Sequence, residues 1–349
     1  MNGITRFWRR ISDGMAIEEL WQQLRRDTSS SYQLYARDAQ VALSQQTARK
    51  RRRGSVIEFL WAIVLKMSPP RRIVLLAAVV MLFTTWLPVG VLLVLGLLAL
   101  EVADRVAMKR DLEIAREIQT WMLPKEPPMM PAGTVAFANM PANTVSGDFY
   151  DAFYRADQLS LLLTVADVAG KGLPAAMLMA TFQASLRTLA GEGVPLAELT
   201  PALNRYACGA SAGGTRFTTA VVAEFEPASG RLRYSNAGHN PPLLLRASGE
   251  VERLELGGVP LGILPDASFA CAETALAAGD VLLIFSDGVT ESFSEAGEEY
   301  GEARLIASLR RAQALPALAL LNTLLADCSY FRGGARQQDD LTCLVLKLG

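Results

Sequence analysis

The sequence predicts an α+β domain over residues 132–349, preceded by a membrane-associated region and a linker helix, and three observations carry that reading. Downstream of Gly133 the apolar residues fall in short runs of strand length. The helical stretches sit in two separate blocks and do not alternate with the strands. Upstream, residues 73–100 contain no charged side chain. Strands gathered apart from helices indicate layered α+β packing and not an alternating βαβ sheet. No G-x-x-x-x-G-K-[ST] or G-x-G-x-x-G pattern stands at a strand-to-helix turn, so a nucleotide-binding fold is not supported.

Residues 1–55 read as a helical, cytoplasmic segment of weak amphipathicity, with Leu20, Leu24, Leu34 and Leu43 among many Gln, Arg and Ser residues. Arg6, Arg9 and Arg10 are followed by Asp13, Glu18 and Glu19 and not by an apolar run, which is not the pattern of a secretory signal. A basic run, Arg49 to Arg53, comes next, then Arg71 and Arg72. Residues 56–67 mix Glu58 and Lys66 with Trp61 and aliphatics, as expected of a segment lying along a membrane interface.

The uncharged 73–100 stretch is the membrane signal, because one charge at the bilayer centre costs at least ~2.5 kcal/mol on insertion scales. As one straight helix it would be about 42 Å long, against a hydrocarbon core of about 30 Å. A single tilted span would separate the arginines from the downstream domain. The positive-inside rule favours a hairpin turning near residues 86–90, with both ends in the cytoplasm and the chain held at the membrane.

Residues 101–124 then read as a charged linker helix, with Met108, Leu112, Ala115, Ile118 and Met122 at three- and four-residue steps. It is long enough either for a short coiled coil, hence a homodimer, or for packing on the next domain. Four prolines, Pro124, Pro127, Pro128 and Pro131, mark the boundary.

Strands are expected at 135–138, 159–165, 217–225, 232–235, 243–246, 251–256, 281–285 and 341–348. Helices are expected at 174–189 and 196–207, then at 302–311 and 315–326. With 34 basic and 35 acidic residues, the net charge of −1 gives no electrostatic case for nucleic acid. Four scattered cysteines with no C-x-x-C pair argue against a zinc site or a disulfide framework.

Four aspartates stand at strand ends or turns beside small residues: Asp148 in Ser146-Gly147-Asp148, Asp167 after an apolar run, Asp287 in Ser286-Asp287-Gly288, and Asp339 before Asp340-Leu341-Thr342. One aspartate at a turn usually bonds only its neighbouring backbone. Four together offer a hard-oxygen set without His or Cys, which selects Mg²⁺ or Mn²⁺. Two such ions can hold and acidify a bridging water and clamp a phosphoryl group for in-line attack.

Six ordered segments make the resemblance specific: residues 146–151, 166–172 (Ala-Asp-Val-Ala-Gly-Lys-Gly), 217–220 (Phe-Thr-Thr-Ala), 236–242 (Asn-Ala-Gly-His-Asn-Pro-Pro), 285–291 (Phe-Ser-Asp-Gly-Val-Thr-Glu) and 339–342 (Asp-Asp-Leu-Thr). Together they resemble the PPM, or protein phosphatase 2C-like, family in its SpoIIE/RsbU-type bacterial branch. The resemblance implies a two-layer antiparallel β-sandwich flanked by helices, with a dinuclear Mn²⁺ or Mg²⁺ site at one end. It implies metal contacts from Asp148, Asp167, Asp287, Asp339 and the backbone carbonyl of Val168. It also implies hydrolysis of phosphoserine or phosphothreonine, plausibly in a STAS-type anti-sigma antagonist, and a switch helix at 174–189 driven by the 112–123 linker. A tethered phosphoprotein-binding module without turnover is the competing class. His239 reads as a turn residue, Lys171 as either a phosphate contact or a cap on the following helix, and no phosphate-gripping Arg is evident.

Overall fold

The structure is a computed structural model, and it describes residues 64, 67–131, 133–210 and 216–349. The readings for 1–55, and nearly all of that for 56–67, lie outside the described residues. The chain divides into two compact units, 1–111 and 112–349.

In the first unit, α1 (Pro69–Leu82) and the N-terminal part of α2 (Leu87–Met122) run antiparallel. Pro69 and Pro70 open α1, where a missing N–H costs nothing. The connection is residues 83–86, a little earlier than the turn expected from sequence. Gly90 lies inside α2, and a Cβ there would come within 2.9 Å of the Ala78 carbonyl oxygen. At the other end of the pair, Arg71 forms an ion pair with Asp104 at 2.6 Å and meets Glu101 at 3.4 Å. Helix α2 continues without a break into the linker region, so the second apolar arm and the linker are one element.

Among the described residues, the second unit holds ten strands in two antiparallel sheets. One has the order β1 (Gly133–Met140), β10 (Leu341–Leu348), β9 (Val281–Phe285), β6 (Leu243–Leu245), β7 (Val251–Arg253). The other has the order β2 (Phe149–Tyr154), β3 (Leu161–Val168), β4 (Thr218–Glu226), β5 (Arg231–Ala237), β8 (Ala272–Ala275). Helices α3 (Leu173–Gly191) and α4 (Leu196–Ala210) cover the β2–β8 sheet. Helices α6 (Gly301–Ala312) and α7 (Ala317–Arg332) cover the other, and a short α5 (Asp287–Thr290) follows β9. The expected helix-flanked antiparallel sandwich is therefore present.

Strand periodicity explains the layering. Along β10, Leu344, Leu346 and Leu348 point into the core between the sheets, while Leu341, Cys343 and Val345 face α6 and α7. Along β3, Leu161, Leu163 and Val165 face inward, while Leu162, Ala166 and Val168 face α3 and α4. Such strands are buried on both faces, which is why they read as unbroken apolar runs.

Two strands were not anticipated. Strand β2 contains Asp151, a residue that normally argues against a strand interior. Arg187 of α3 resolves the conflict: its Nε and Nη2 each donate to the Asp151 carboxylate at 2.7 Å, and its guanidinium lies 4.0 Å over the Phe153 ring. Strand β8 is a short, half-exposed edge with the sequence Ala-Glu-Thr-Ala.

The linker face also differs from expectation. Leu112, Ala115, Gln119 and Met122 form the packed side, with Gln119 buried, whereas Ile114, Ile118 and Trp121 are exposed. Three- and four-residue steps fit both stripes, and side-chain polarity favoured the wrong one at residues 118 and 119.

Candidate metal-dependent active site

Antiparallel pairing places four chain ends together. Phe149, at the start of β2, pairs with Ala166, near the end of β3. Cys343, near the start of β10, pairs with Phe285, which ends β9. Asp148 therefore precedes β2, Asp167 closes β3, Asp287 follows β9, and Asp339 precedes β10, all at one end of the sandwich.

Direct contacts join the two sheets there. Thr342 Oγ1 donates to Asp148 Oδ2 at 2.5 Å. Asp340 accepts from the Ala142 amide at 2.7 Å through Oδ1, and from Ser146 Oγ at 2.7 Å and the Gly147 amide at 2.9 Å through Oδ2. Asp340 is thus spent on holding the 142–147 loop, while Asp339 beside it is half-exposed and faces outward. This division of labour between adjacent aspartates was not evident from sequence.

The linker helix reaches the same loop. Gln119 Nε2 donates to the Ser146 carbonyl at 2.7 Å, and Gln119 Oε1 accepts from the Ser146 amide at 3.0 Å. Gln183 of α3 donates through Nε2 to the carbonyl of Met122. Ser146 Oγ in turn accepts from the Asp148 amide at 3.0 Å, two residues along.

The electrostatics are those of crowded anions. Burial, then the Asp167 charge, hold the Asp148 carboxyl well above the usual range, against the Thr342 hydrogen bond. Asp167 is pushed up to about 6 by burial and by Asp287, with a hydrogen bond from Asp148 opposing. Asp287 is raised by burial and Asp339, partly offset by the Gly288 amide and by Lys171. Glu291 is raised as well, by burial and by Asp287.

This donor set fits Mn²⁺ or Mg²⁺. It is all oxygen, its negative charge is in excess, and Gly147 lets the backbone pack closely against it: a Cβ there would lie 3.0 Å from the Val168 carbonyl oxygen and 3.5 Å from Asp167 Oδ1. Among the described residues, no three His, Cys, Asp or Glu side chains are gathered tightly enough to enclose one ion. Hard cations of this kind take one or two carboxylates and keep several waters, so a spread acidic rim suits them.

The two neighbouring basic residues have distinct places. Lys171 neither caps α3, whose N-cap is Gly172, nor stands free: its Nζ lies 3.0 Å from Asp339 Oδ2 and donates to the Gln338 carbonyl at 2.7 Å. His239 is buried in a turn closed by Asn236, whose side chain bonds the His239 amide and carbonyl at 2.8 and 2.9 Å. Its Nδ1 lies 2.8 Å from Thr219 Oγ1, and burial lowers its pKa to about 4, so it is neutral near pH 7. The turn reading of His239 agrees with this setting.

Comparison with known proteins follows the same lines. The chain is 30% identical over 277 residues to protein IcfG of Synechocystis, covering 72% of this chain and 43% of that protein. It is 30% identical over 191 residues to the phosphoserine phosphatase RsbU of Bacillus subtilis, covering 54% of this chain and 56% of RsbU. The chain thus spans about half the length of these curated relatives. Among solved structures, the SiaA-PP2C domain of Pseudomonas aeruginosa superposes with a TM-score of 0.64 at 22% identity, over 71% of this chain and 99% of that domain, which establishes a common fold. The family profile described as stage II sporulation protein E (SpoIIE) matches residues 157–349, more than half of the sequence, and the chain belongs to the SpoIIE family.

Proposed function

We propose that this chain is a membrane-anchored, metal-dependent protein phosphatase that hydrolyses phosphoserine or phosphothreonine in a phosphoprotein. The observation that carries the reading is the convergence of Asp148, Asp167, Asp287 and Asp339 at one sandwich end, where burial and neighbouring carboxylates raise the pKa of Asp148, Asp167 and Asp287. With Asp339 half-exposed, Asp167 and Asp287 partly buried, and the Val168 carbonyl beside Gly147, these residues would hold two Mn²⁺ or Mg²⁺ ions. Bound there, the ions supply a water of lowered pKa and neutralise the phosphoryl oxygens.

The chain's own residues do the rest. Thr342 and Ser146 orient Asp148, Asp340 fixes the loop that carries it, and Lys171 holds Asp339 at the rim and presents a cation to an arriving phosphate. Similarity to the phosphoserine phosphatase RsbU supports a phosphoserine substrate, and a phosphoprotein of the STAS-domain, anti-sigma antagonist type is the class proposed. The exposed stripe of Ile114, Ile118 and Trp121 supports pairing of two linker helices, and the Gln119–Ser146 contact supports control of the site through that helix. Helix α2 is, among the described residues, the one helix long and apolar enough to cross a membrane, which supports anchoring with the catalytic unit on the cytoplasmic side.

The test is phosphate release by the purified full-length chain from p-nitrophenyl phosphate and from a phosphoserine peptide, with Mn²⁺ and with chelator. Metal-dependent release from both, abolished in Asp287→Ala, is expected. Tight peptide binding without release would indicate a binding module instead.

A further inference from the structure

We infer that α1 and the first part of α2 form a hairpin that dips into the bilayer from one side and ends inside it, without reaching the far surface. The inference rests on the membrane reading above and adds depth and topology to it. Helix α1 has 14 residues, a rise of about 21 Å at ~1.5 Å per residue. The uncharged part of α2, from Leu87 to Leu100, has the same reach. A hydrocarbon core of about 30 Å is deeper than either arm.

Charge marks where the hairpin leaves the membrane. Arg71 on the first arm pairs with Asp104 and Glu101 on the second, at 2.6 and 3.4 Å, so the charged ends of both arms stand at one level. From Ile73 to Leu100 the sequence has no charge at all.

The apex has the chemistry of a turn built for lipid. It is Phe83-Thr84-Thr85-Trp86, with Phe83 87% and Trp86 63% exposed. In hydrocarbon every backbone polar group needs an internal partner. The Phe83 and Thr84 amides donate to the Val80 and Met81 carbonyls at 3.2 Å, and the Trp86 amide donates to Thr84 Oγ1 at 3.3 Å. Thr84 Oγ1 itself donates to the Met81 carbonyl at 3.0 Å.

The outer surface of the hairpin points to lipid as its one occupant. On α2, Gly90 and Leu97 turn toward α1, while Leu87, Val89, Val91, Leu92, Leu95 and Leu98 are exposed. At ~100° per residue these exposed side chains spread round more than half of the helix. A protein partner covers a stripe; hydrocarbon covers every side.

Two measurements on the full-length chain test the inference. In the first, the other tryptophans (Trp8, Trp21, Trp61, Trp121) are changed to Phe, and Trp86 fluorescence is read in phosphatidylethanolamine–phosphatidylglycerol vesicles. Stronger quenching by lipids brominated deep in the acyl chain than by those brominated near the headgroup is expected, with iodide on both sides having no effect. In the second, Thr85→Cys is expressed in cells with the native cysteines kept, and a membrane-impermeant maleimide is added from outside. No labelling is expected. Labelling of Cys-substituted position 85, or quenching of Trp86 by iodide, would show that the apex reaches the far surface and overturn the inference. A chain recovered as a soluble dimer, with Trp86 indifferent to every brominated lipid, would refute membrane anchoring itself and leave the phosphatase assignment to its own assay.

Discussion

Gln119 and Ser146 exchange two hydrogen bonds, the side-chain amide of one satisfying both the N–H and the C=O of the other, so the last turns of the linker helix are fastened to the loop that carries Asp148. A side chain that mimics a paired strand in this way fixes backbone position. Gln119→Ala would leave both Ser146 groups buried without partners, at about 1–3 kcal/mol each if no water enters. The expected outcome is a weaker apparent affinity for Mn²⁺ and a fall in kcat, with KM for peptide little changed. Gln119→Glu keeps one bond and should fall between Ala and wild type in a metal titration of the rate.

Asp340 is buried and accepts three hydrogen bonds from the 142–147 loop. Hydrogen bonds to a charged group contribute ~1.5–3 kcal/mol each, though neighbouring ones are not additive. Asp340→Ala should therefore destabilise the fold by about 2–4 kcal/mol, which in a unit of this size lowers Tm by roughly 4–16 °C. Asp339→Ala, at an exposed position, should leave Tm nearly unchanged in the metal-free chain while activity is lost. Paired calorimetry and rate measurements on the two variants distinguish anchor from ligand.

Lys171 sits 3.0 Å from Asp339 with both side chains about half-exposed, so the ion pair itself stabilises little. In the proposed site its cation would compete with a divalent ion for the same carboxylate. Lys171→Ala is expected to leave Tm unchanged, tighten the apparent Mn²⁺ affinity a few-fold, and raise KM for phosphopeptide through loss of a positive charge at the rim. Isothermal titration with Mn²⁺, beside steady-state kinetics, checks both directions.

The crowding of anions predicts a pH effect with a definite sign. Asp148 and Asp167 have raised pKa values in the fold, Asp167 to about 6, so the folded chain retains protons that the unfolded chain has released. That contribution to stability is fully present below the ordinary carboxylate pKa near ~4 and is lost as pH rises through about 6. A metal ion replaces the protons and removes the penalty. In chelator, Asp167→Asn should therefore raise Tm relative to wild type at about pH 7.5 more than at about pH 5. With saturating Mn²⁺ the order at the higher pH should reverse.

Much of the sandwich was legible because its central strands are buried on both faces and read as unbroken apolar runs. The exceptions are instructive. Strand β2 was hidden because the partner that neutralises Asp151 is Arg187, 36 residues away. Strand β8 was hidden because an exposed edge needs no apolar residues.

The four acids stood out because small and Gly neighbours flank them at strand ends. Their support did not. The Ser146–Asp340 bond joins residues 194 apart, and local sequence carries no trace of such a pairing. The burial of Gln119 in place of Ile118 is a similar case, since both lie on helical stripes and only the loop opposite decides which turns inward.

The most direct test of the account is phosphate release from a phosphoserine peptide by the full-length chain, comparing wild type with Asp287→Asn, an isosteric change that removes one of the charges proposed to hold metal. The account predicts Mn²⁺-dependent turnover in wild type, none with chelator, and background release in Asp287→Asn despite an unchanged melting profile. Equal rates in the two proteins, or turnover by wild type that survives complete chelation, would contradict it.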